Sequence, residues 1–330
     1  MRKIKIYIFF YLCVIFTGFA FFNTSCSGNT GALKIPFFSK DNMLSDVGKM
    51  EVFILNEGKA DAIILTTKNH TVMIDTGEDK DGKKIVNYLS EHSITTIDYL
   101  IITHFHKDHV GGAEKIIKKL DVKEIIIPDY GKDSKQYEKF LIAANKARVK
   151  RNILKEKIEF ALDGVTFTIY PSRQEYHYFS NEYKEDENDD QDYEDNNDGN
   201  DSDEENDRYD DIVNENNYSL VTKVSHGNHN FLFTGDAQSK RLKELLATGD
   251  ITNVKYDFLK VPEHGRYNKR STDFIHSIKP KYAVITCSSD EPADKRVVSA
   301  LKRAGADIYL TINGNICCES DGSNLKISYK

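Results

Sequence analysis

The sequence predicts an α/β (α+β) fold in which two packed β-sheets are flanked by helices. Three observations lead to this prediction. Short apolar strands cluster after Glu51, strands then alternate with amphipathic helices, and a similar succession returns after an acidic segment at residues 180–216. Each sheet therefore has one face for the other sheet and one face for helices. The acidic segment interrupts a single domain, predicted at residues 49–330.

The first half of this domain contains the clearest periodic patterns. Residues 83–92 are a predicted helix because Ile85 and Leu89 recur on one face. Residues 97–103 are mostly apolar, which is typical of a strand in a sheet buried on both sides. The other elements predicted here are strands at residues 52–55, 62–66, 71–74, 124–127, 158–161 and 165–170, and helices at residues 111–120 and 134–148.

The second half continues the alternation beyond the acidic segment. It begins with a predicted strand pair at residues 218–224 and 231–234, joined by residues 225–230. The remaining predicted elements are helices at residues 239–247, 272–277 and 294–304, and strands at residues 257–261, 282–286, 307–311, 315–318 and 325–328.

The net negative charge of the acidic segment is larger than the net negative charge of the whole chain. Residues 182–211 hold 17 Asp or Glu against Lys184 and Arg208, whereas the net charge of all 330 residues is −7. The rest is therefore mildly basic, which suits an anionic substrate such as a phosphodiester. Because it has almost no aliphatic residues, the segment at 180–216 is predicted to be a disordered loop. A calcium site is the alternative, but no ligand loop of the usual pattern is present.

The N-terminus resembles a targeting segment. Basic residues precede an apolar run at residues 6–22, which is the order found in signal peptides. Cys26 follows as in bacterial lipoproteins, although Asn23 stands where such sequences usually carry Leu. Residues 1–26 are therefore expected to be a signal peptide, lipoprotein signal or membrane anchor, and residues 27–48 a linker. Each of these alternatives places the domain outside the cytoplasm, and an anchored protein is preferred over a released one.

Three cysteines lie within the predicted domain: Cys287, Cys317 and Cys318. Their spacing matches no metal site, and the adjacent pair is expected to point to opposite faces of a strand. A disulfide from Cys287 to either of the others fits an oxidising compartment. Buried free thiols are the alternative, and the sequence leaves both open.

Four residues with metal-binding side chains fall within six positions: His104, His106, Asp108 and His109. Imidazole and carboxylate groups of this kind bind zinc and related divalent ions. The motif follows an apolar strand and precedes a helix that begins at Gly111, so it occupies a strand-to-helix loop of the kind that carries many sites. We expect the first two histidines to share one metal while Asp108 and His109 turn toward a second.

The run from His104 to His109 resembles the signature of the metallo-β-lactamase superfamily, which implies a four-layer αββα metallo-β-lactamase sandwich. Three further segments resemble motifs of this superfamily. Asp75, in Ile-Asp-Thr-Gly, matches an Asp beside the histidine loop, where a carboxylate would orient a histidine. Asp236, in Phe-Thr-Gly-Asp, matches the residue that bridges the two metals. His264, in Val-Pro-Glu-His-Gly, matches a late ligand.

The branch that the sequence resembles most is the extracytoplasmic hydrolase domain of the competence protein ComEC and its free-standing relatives. Residues 55–63, Leu-Asn-Glu-Gly-Lys-Ala-Asp-Ala-Ile, resemble a variant of its opening motif Val-Gly-Gln-Gly-Asp-Ala/Ser. Residues 216–221 resemble its Asn-Asn-x-Ser-Leu-Val segment, and residues 278–285 and 313–316 fit its C-terminal part. This branch is associated with cleavage of phosphodiesters or nucleic acid, and the resemblance implies that reaction class.

Two departures from the superfamily pattern concern the metal ligands. Most members supply another histidine before the bridging Asp, where this chain has residues 217–219. His226 and His229 are close in sequence, but we expect both on the surface of a hairpin turn that points away from the site. The usual His-His pair is Glu263-His264 here, and we favour His264 as the ligand with Glu263 as the alternative. One metal is therefore expected to be weakly held.

The predicted chemistry is hydrolysis by a metal-activated water, with two divalent ions, zinc first and manganese as the alternative. Asp75, Asp108 and His264 are the residues predicted to be catalytic. A phosphodiesterase or nuclease is the first hypothesis, acting on an anionic small molecule or polymer, nucleic acid among them. The second is hydrolysis of another ester, lactone or amide, including a phosphocholine-type ester of wall polymers. The third is a surface binding module that has lost turnover.

Overall fold

The computed structural model describes residues 48–174 and 214–330. The predicted targeting segment, nearly all of the predicted linker and most of the predicted acidic loop lie outside these ranges. Within the two ranges, no helix combines the length and the apolar character that a membrane span requires.

The helices and strands of the described ranges follow the predicted order closely. The strands are β1 (Met50–Ile54), β2 (Ile63–Thr66), β3 (Thr71–Ile74), β4 (Thr96–Ile101), β5 (Asp121–Pro128), β6 (Lys150–Leu154), β7 (Ile158–Leu162), β8 (Val165–Tyr170), β9 (Val221–His226), β10 (His229–Phe233), β11 (Phe258–Lys260), β12 (Tyr282–Ile285), β13 (Asp307–Leu310), β14 (Ile316–Ser320) and β15 (Leu325–Tyr329). The helices are α1 (Gly82–Glu91), α2 (Lys107–Val110), α3 (Ala113–Lys119), α4 (Lys135–Ala147), α5 (Ser239–Leu246), α6 (Gly249–Thr252), α7 (Ser271–Ile278) and α8 (Lys295–Ala304).

These strands form two sheets, one of eight strands in the order β15-β14-β1-β2-β3-β4-β5-β6 and one of seven in the order β13-β12-β11-β10-β9-β8-β7. Strands β3 to β6 are parallel in the first sheet, and β10 to β13 are parallel in the second. The other pairs are antiparallel. Parallel neighbours need crossover connections, which the helices supply. The predicted two-sheet fold flanked by helices is confirmed.

Three apolar clusters hold the layers together. One contains side chains of both sheets, among them Phe167, Phe231 and Phe258. A second lies between the first sheet and its helices, and a third between the second sheet and its helices. Full burial of a side chain such as phenylalanine stabilises the fold by about 1.5–3 kcal/mol. Three layers of apolar contact between four layers of structure produce the predicted αββα order.

The structure also departs from the predicted elements: the short helix α6 was not predicted, and three further differences concern β6, α2 and the start of β9. Strand β6 was not predicted, because it begins with Lys150 and Arg151 at the exposed edge of its sheet. The predicted helix at residues 111–120 is preceded by a short helix, α2, that contains part of the metal-binding motif. The predicted strand at 218–224 begins only at Val221, because Glu215–Tyr218 form a 3-10 turn.

The three described cysteines are buried free thiols, so the predicted alternative of a disulfide from Cys287 is wrong. Cys317 packs into the cluster under the helices of the first sheet, and Cys318 packs between the two sheets. The prediction that these neighbours face opposite sides of a strand is therefore confirmed.

Candidate metal centre

The predicted site residues all follow the carboxyl end of a parallel strand. Asp75 follows β3, the motif that begins at His104 follows β4, Asp236 follows β10 and His264 follows β11. The carboxyl ends of parallel strands meet at one edge of a sheet, where open α/β folds place their sites. In this molecule that edge of each sheet contributes ligands, so the metal centre is assembled by both sheets.

A close backbone contact joins the loop after β3 to the histidine loop. A Cβ atom on Gly112 would lie 2.2 Å from the Thr76 carbonyl oxygen, so only glycine fits there. Thr76 N–H donates to the His109 carbonyl oxygen at 2.7 Å, which fixes the approach. Asp75 adopts a left-handed backbone conformation with φ 56°, and its carboxylate reaches the histidine loop as a result.

Four predicted ligands form what we call the four-ligand cluster: Asp108, His109, Asp236 and His264. One ligand atom from each lies within 4.8 Å of the other three. Asp236 Oδ2 is central, at 3.0 Å from Nε2 of both histidines. Asp108 Oδ2 lies 3.5 Å from His264 Nε2. Two carboxylates and two imidazoles in this arrangement are a donor set suited to zinc.

The other ring nitrogen of His109 is held by a carboxylate. His109 Nδ1 lies 2.8 Å from Asp75 Oδ2, and both side chains are fully buried. Because an ionised carboxylate only accepts hydrogen bonds, Nδ1 keeps its proton, and Nε2 is the nitrogen that can give up its proton to bind a metal. Asp75 is thus a positioning residue that acts through His109, and the structure places it beside the ligands.

The same Asp75 also orients His104. It accepts hydrogen bonds from Thr103 N–H at 2.8 Å and from the Thr103 hydroxyl at 2.7 Å. Since that hydroxyl has given its only proton to the carboxylate, it accepts from His104 Nδ1, which is 3.1 Å away. His104 Nε2 is therefore the nitrogen left for a metal.

His104 and His106 form the second part of the centre, the histidine pair. His104 Nε2 lies 3.0 Å from His106 Nδ1, and 3.9 Å from Asp236 Oδ2. Asp236 is thus the nearest shared ligand between the pair and the four-ligand cluster. The outer nitrogen of His106, Nε2, faces Glu215 Oε1 at 3.8 Å. Glu215 is itself buried, pairs with Lys132 and accepts from the Tyr130 hydroxyl at 3.0 Å.

The segment that replaces the usual middle histidine has a structural role. Asn217 Oδ1 accepts from Arg241 N–H at 3.1 Å, so this side chain is turned away from the ligands. The buried Arg241 guanidinium donates to the carbonyl oxygens of Ser219 and Tyr170, at 3.0 and 2.7 Å. Ser219 Oγ accepts from Asp236 N–H at 3.3 Å. These residues contact Asp236 through its N–H and supply no imidazole to the histidine pair.

Glu263 lies beside the site but outside the four-ligand cluster. Its carboxylate is buried and accepts from Asn216 Nδ2 at 2.6 Å. Both Glu263 and His264 have left-handed backbone conformations, with φ near 50°. This tight turn directs the imidazole of His264 toward Asp236. The structure therefore favours His264 over Glu263 as the ligand in this part of the chain.

The two remaining histidines of interest lie far from the ligands, in the β9–β10 hairpin. This hairpin is at the amino end of β10, whereas Asp236 follows its carboxyl end. The prediction that His226 is a surface residue is wrong, because its side chain is fully buried. His226 Nδ1 contacts Ser320 Oγ at 2.8 Å and Nε2 contacts the Gly48 carbonyl oxygen at 2.9 Å. Its role is to tie the start of the domain to the second sheet.

Charge is balanced in the four-ligand cluster by strong pKa shifts. Burial alone would lower the pKa of His109 and His264, but Asp236 and its neighbouring carboxylates outweigh burial, holding the pKa of His109 well above its ordinary value and raising that of His264 to about 9. Burial would raise the pKa of Asp236, and the two histidines and Lys260 hold it far below the usual range. Burial keeps the pKa of His104 low.

These groups fit a divalent cation. His264 Nε2 is buried, and within the described ranges it meets no hydrogen-bond partner of good geometry, although Asp236 Oδ2 is 3.0 Å away. The nitrogens of His109 and His264 that face Asp236 are the ones whose opposite ring nitrogens contact oxygen atoms of the protein. Ligands oriented from behind in this way are typical of metal sites.

Comparison with known proteins gives a consistent picture. Residues 55–288 match the family model described as metallo-beta-lactamase superfamily. ComE operon protein 3 of Bacillus subtilis is 25% identical over 293 residues, covering 83% of this chain and 33% of that protein. Endoribonuclease ysh1 of Aspergillus fumigatus is 30% identical over 92 residues, covering 27% of this chain and 10% of that protein. This chain thus spans about a third or less of the length of these relatives.

Among solved structures, the metallo-beta-lactamase fold protein YhfI of Bacillus subtilis matches with a TM-score of 0.47 and 11% identity, covering 85% of this chain and all of that one. The match to ComE operon protein 3 confirms the predicted resemblance to the ComEC branch. Because the family model extends over most of the chain and over every proposed ligand, this chain belongs to the metallo-β-lactamase superfamily, whose members are metal-dependent hydrolases.

Proposed function

We propose that this protein is an extracytoplasmic metal-dependent phosphodiesterase or nuclease. The observation that carries the proposal is the convergence of the four-ligand cluster and the histidine pair on a single carboxylate, Asp236. Two divalent ions sharing a carboxylate are a common arrangement in enzymes that cleave phosphodiesters. In this proposal zinc is the first choice of ion and manganese the second, because the ligands are nitrogen and oxygen atoms.

The two ions would be held by different residues. Asp108, His109, Asp236 and His264 would hold one ion; His104, His106 and the same Asp236 would hold the other. When bound, such ions lower the pKa of water and offset the charge of a phosphate. The protein supplies the rest. Asp75 keeps the proton of His109 on Nδ1, and the buried Asp236 lies between the four-ligand cluster and the histidine pair.

Two further considerations support a phosphodiester substrate. One similar protein is an endoribonuclease, although the match covers only about a quarter of this chain. Outside residues 182–211, basic residues exceed acidic ones, which favours anionic ligands. The extracytoplasmic part of the proposal is supported by the signal-like order of basic and apolar residues before Asn23.

Hydrolysis of bis(p-nitrophenyl) phosphate by the full chain tests the proposed reaction. We expect turnover only after zinc or manganese is added, and loss of turnover in the double variant Asp108→Ala/His109→Ala. Asp163→Asn is the matched control. Asp163 lies in the turn between β7 and β8, accepts hydrogen bonds from Thr67 and Asn69 in the turn between β2 and β3, and contacts no ligand. A folded, metal-loaded protein that leaves this diester intact would overturn the proposal in favour of another ester or a binding role.

The proposed location has a separate test. Alkaline phosphatase fused to the C-terminus is active only when it is exported, so the fusion should be active in a bacterial host. Removal of residues 1–26 should abolish that activity while the fusion is still produced. Equal activity with and without these residues, or none in either case, would contradict an extracytoplasmic location.

A further inference from the structure

We propose that Asp61 is a positioning residue that orients two of the metal ligands, His264 through Thr286 and Asp236 through Lys260. The inference rests on the metal-dependent hydrolysis proposed above. It concerns a carboxylate in the segment before β2 that is 1% exposed. Because β2 runs antiparallel to β3, its amino end lies at the same edge of the sheet as the ligands.

The first branch runs from Asp61 to His264. The Thr286 hydroxyl donates to Asp61 Oδ1 at 2.7 Å. A hydroxyl has one proton, so its oxygen must accept from His264 Nδ1, which lies 2.9 Å away. Asp61 therefore determines which nitrogen of His264 carries the proton, and leaves Nε2, 3.0 Å from Asp236 Oδ2, for a metal.

The second branch runs from Asp61 to Asp236. Lys260 Nζ forms an ion pair with Asp61 Oδ2 at 2.5 Å and donates to Asp236 Oδ1 at 3.3 Å. Lys260 is fully buried at the end of β11, and its ammonium also donates to the Gly235 carbonyl oxygen at 3.1 Å. With Oδ1 occupied by the lysine, Oδ2 is the oxygen that Asp236 presents to the metal side.

Asp61 is also connected to the other ligands. Its N–H donates to the Asp108 carbonyl oxygen at 3.2 Å, and its own carbonyl oxygen accepts from Gly77 N–H at 2.8 Å in the loop that carries Asp75. Its carboxylate lies 4.0 Å from His109 Nδ1. Its buried side chain thus reaches His264 and Asp236 through one intermediate group each and lies near His109, while its backbone contacts Asp108.

Asp61 and Asp75 divide this work between them. Asp75 reaches His104 through the Thr103 hydroxyl and His109 directly. Asp61 reaches His264 through the Thr286 hydroxyl, in the same carboxylate–hydroxyl–imidazole order. The repetition of one hydrogen-bond sequence around two different buried carboxylates indicates that histidine orientation, rather than packing alone, is what Asp61 provides.

A pair of variants at Thr286 tests the first branch while leaving the other contacts in place. Thr286→Val keeps the shape but removes the hydroxyl, so Nδ1 of His264 loses its acceptor. Thr286→Ser keeps the hydroxyl. We measure cobalt(II) affinity of the full chain by chelator competition, and its visible absorption spectrum, both without substrate. Loss of a contact behind a metal ligand lowers metal affinity by about 10–100-fold, and we expect this loss in the valine variant only.

Asp61→Asn tests both branches at once. The amide has the size of the carboxylate, but it can no longer neutralise Lys260. We expect affinity for at least one cobalt ion to fall at least as far as in Thr286→Val, with a changed cobalt spectrum. Asp163→Asn is the control for a generic Asp→Asn change. If Asp61→Asn does not fold, as judged by circular dichroism without metal, the two Thr286 variants decide.

The outcomes separate this inference from the proposed function. Wild-type protein that binds no cobalt, zinc or manganese would overturn both. Wild-type protein that binds metal, with Thr286→Val equal to Thr286→Ser in affinity and spectrum, would overturn the role of Asp61 alone. A valine-specific loss in a protein that binds metal but does not cleave a phosphodiester would uphold the role of Asp61 and contradict the proposed substrate class.

Discussion

The two halves of the metal centre are adjacent, yet they are built differently. In the four-ligand cluster the two histidine side chains are at most 2% exposed, and their outer nitrogens contact Asp75 and Thr286. In the histidine pair, His106 is 25% exposed and its outer nitrogen is 3.8 Å from Glu215. The segment that would supply a third imidazole turns its Asn217 side chain toward Arg241 instead. Because Asp75 also orients His104 through Thr103, the two halves differ instead in burial and in ligand number: the four-ligand cluster offers four protein ligands, and the pair with the shared Asp236 offers three.

This difference teaches that a shared motif does not guarantee equal sites. The same loop supplies both halves, but the loops around it complete only one. A larger number of protein ligands raises metal affinity. We therefore expect one ion to be held tightly by the four-ligand cluster and a second, weaker ion beside the histidine pair.

The largest effect should follow from the residue that both halves share. Among the described contacts, Asp236 is the only carboxylate that lies within 3.9 Å of a histidine of both halves, and Asp236→Ala removes it. Both ions should be lost and phosphodiesterase activity should fall by more than the roughly 100-fold seen for outer contacts. Bound zinc and hydrolysis rates measure this, with Asp163→Asn as control. Retention of one tightly bound zinc in the variant would break the assignment of Asp236 as the common ligand.

A smaller effect should distinguish the halves. His106→Ala should remove the weaker ion and leave the tighter one, whereas His264→Ala should weaken the tighter one. In wild-type protein the second ion should bind more weakly than the first, because the pair and Asp236 offer three protein ligands whereas the four-ligand cluster offers four. Zinc titration against a chelator measures all three proteins. Equal affinities in the wild type, or loss of both ions in His106→Ala, would contradict the comparison.

The pH dependence of metal binding sharpens the contrast further. In the metal-free protein the pKa of His264 is about 9, because Asp236 outweighs burial, so at neutral pH a metal must displace its proton. Affinity of the tighter site should therefore rise with pH, by about tenfold per pH unit up to pH 9 from His264 alone, and the raised pKa of His109 should steepen that rise. The pKa of His104 is low instead, so the weaker site should respond less. Zinc titrations at several pH values test this, and a tighter site that ignores pH would contradict it.

The same shift has the opposite consequence for the metal-free fold. A histidine whose folded pKa is raised from 6.5 to about 9 adds stability below pH 6.5, and this stability is lost as the pH rises through 9. Thermal unfolding in the presence of a chelator should therefore show a decline over that window. His264→Gln should lack this part of the decline.

The smallest effect concerns charge outside both halves. Removing residues 182–211 eliminates 17 acidic side chains, which should raise cleavage of nucleic acid several-fold at low salt. The gain should vanish near 1 M salt, where the Debye length is about 3 Å. Cleavage of bis(p-nitrophenyl) phosphate, a small diester with a single charge, should change far less. Unchanged cleavage of nucleic acid at low salt would show that this charge does not act on the site.

Much of the fold and the ligand set could be predicted from the sequence, because both depend on local patterns. The strands β3, β4 and β10 are followed within three residues by Asp75, His104 and Asp236, so the same apolar patterns predict both the strands and the site. The strand at β6 was missed because its residues at an exposed edge carry no apolar pattern. The fate of Cys287 could not be decided either, since a disulfide depends on distances between strands remote in sequence.

The supporting role of three residues, one of them in the motif at residues 55–63, was not predicted for a different reason. Asp61, Lys260 and Thr286 come from three segments, and their contacts exist only once both sheets are packed. A signal was nevertheless present: Lys260 ends an apolar strand, and a lysine is almost never fully buried unless it is paired. A lysine in that position indicates a buried acidic partner but does not identify which carboxylate it is.

Every ligand lies after the end of a strand. The residues that stabilise the fold are therefore different from the residues that would carry out the chemistry. The residues between the two sheets, such as Phe231 and Phe258, set the strand register and do not reach the metal centre. Loop insertions and substitutions can therefore change which molecule is recognised while the sheets are inherited unchanged. A laboratory search for new specificity in this chain should vary the loops after β4, β11 and β12, and restore any lost folding free energy by substitutions in the core.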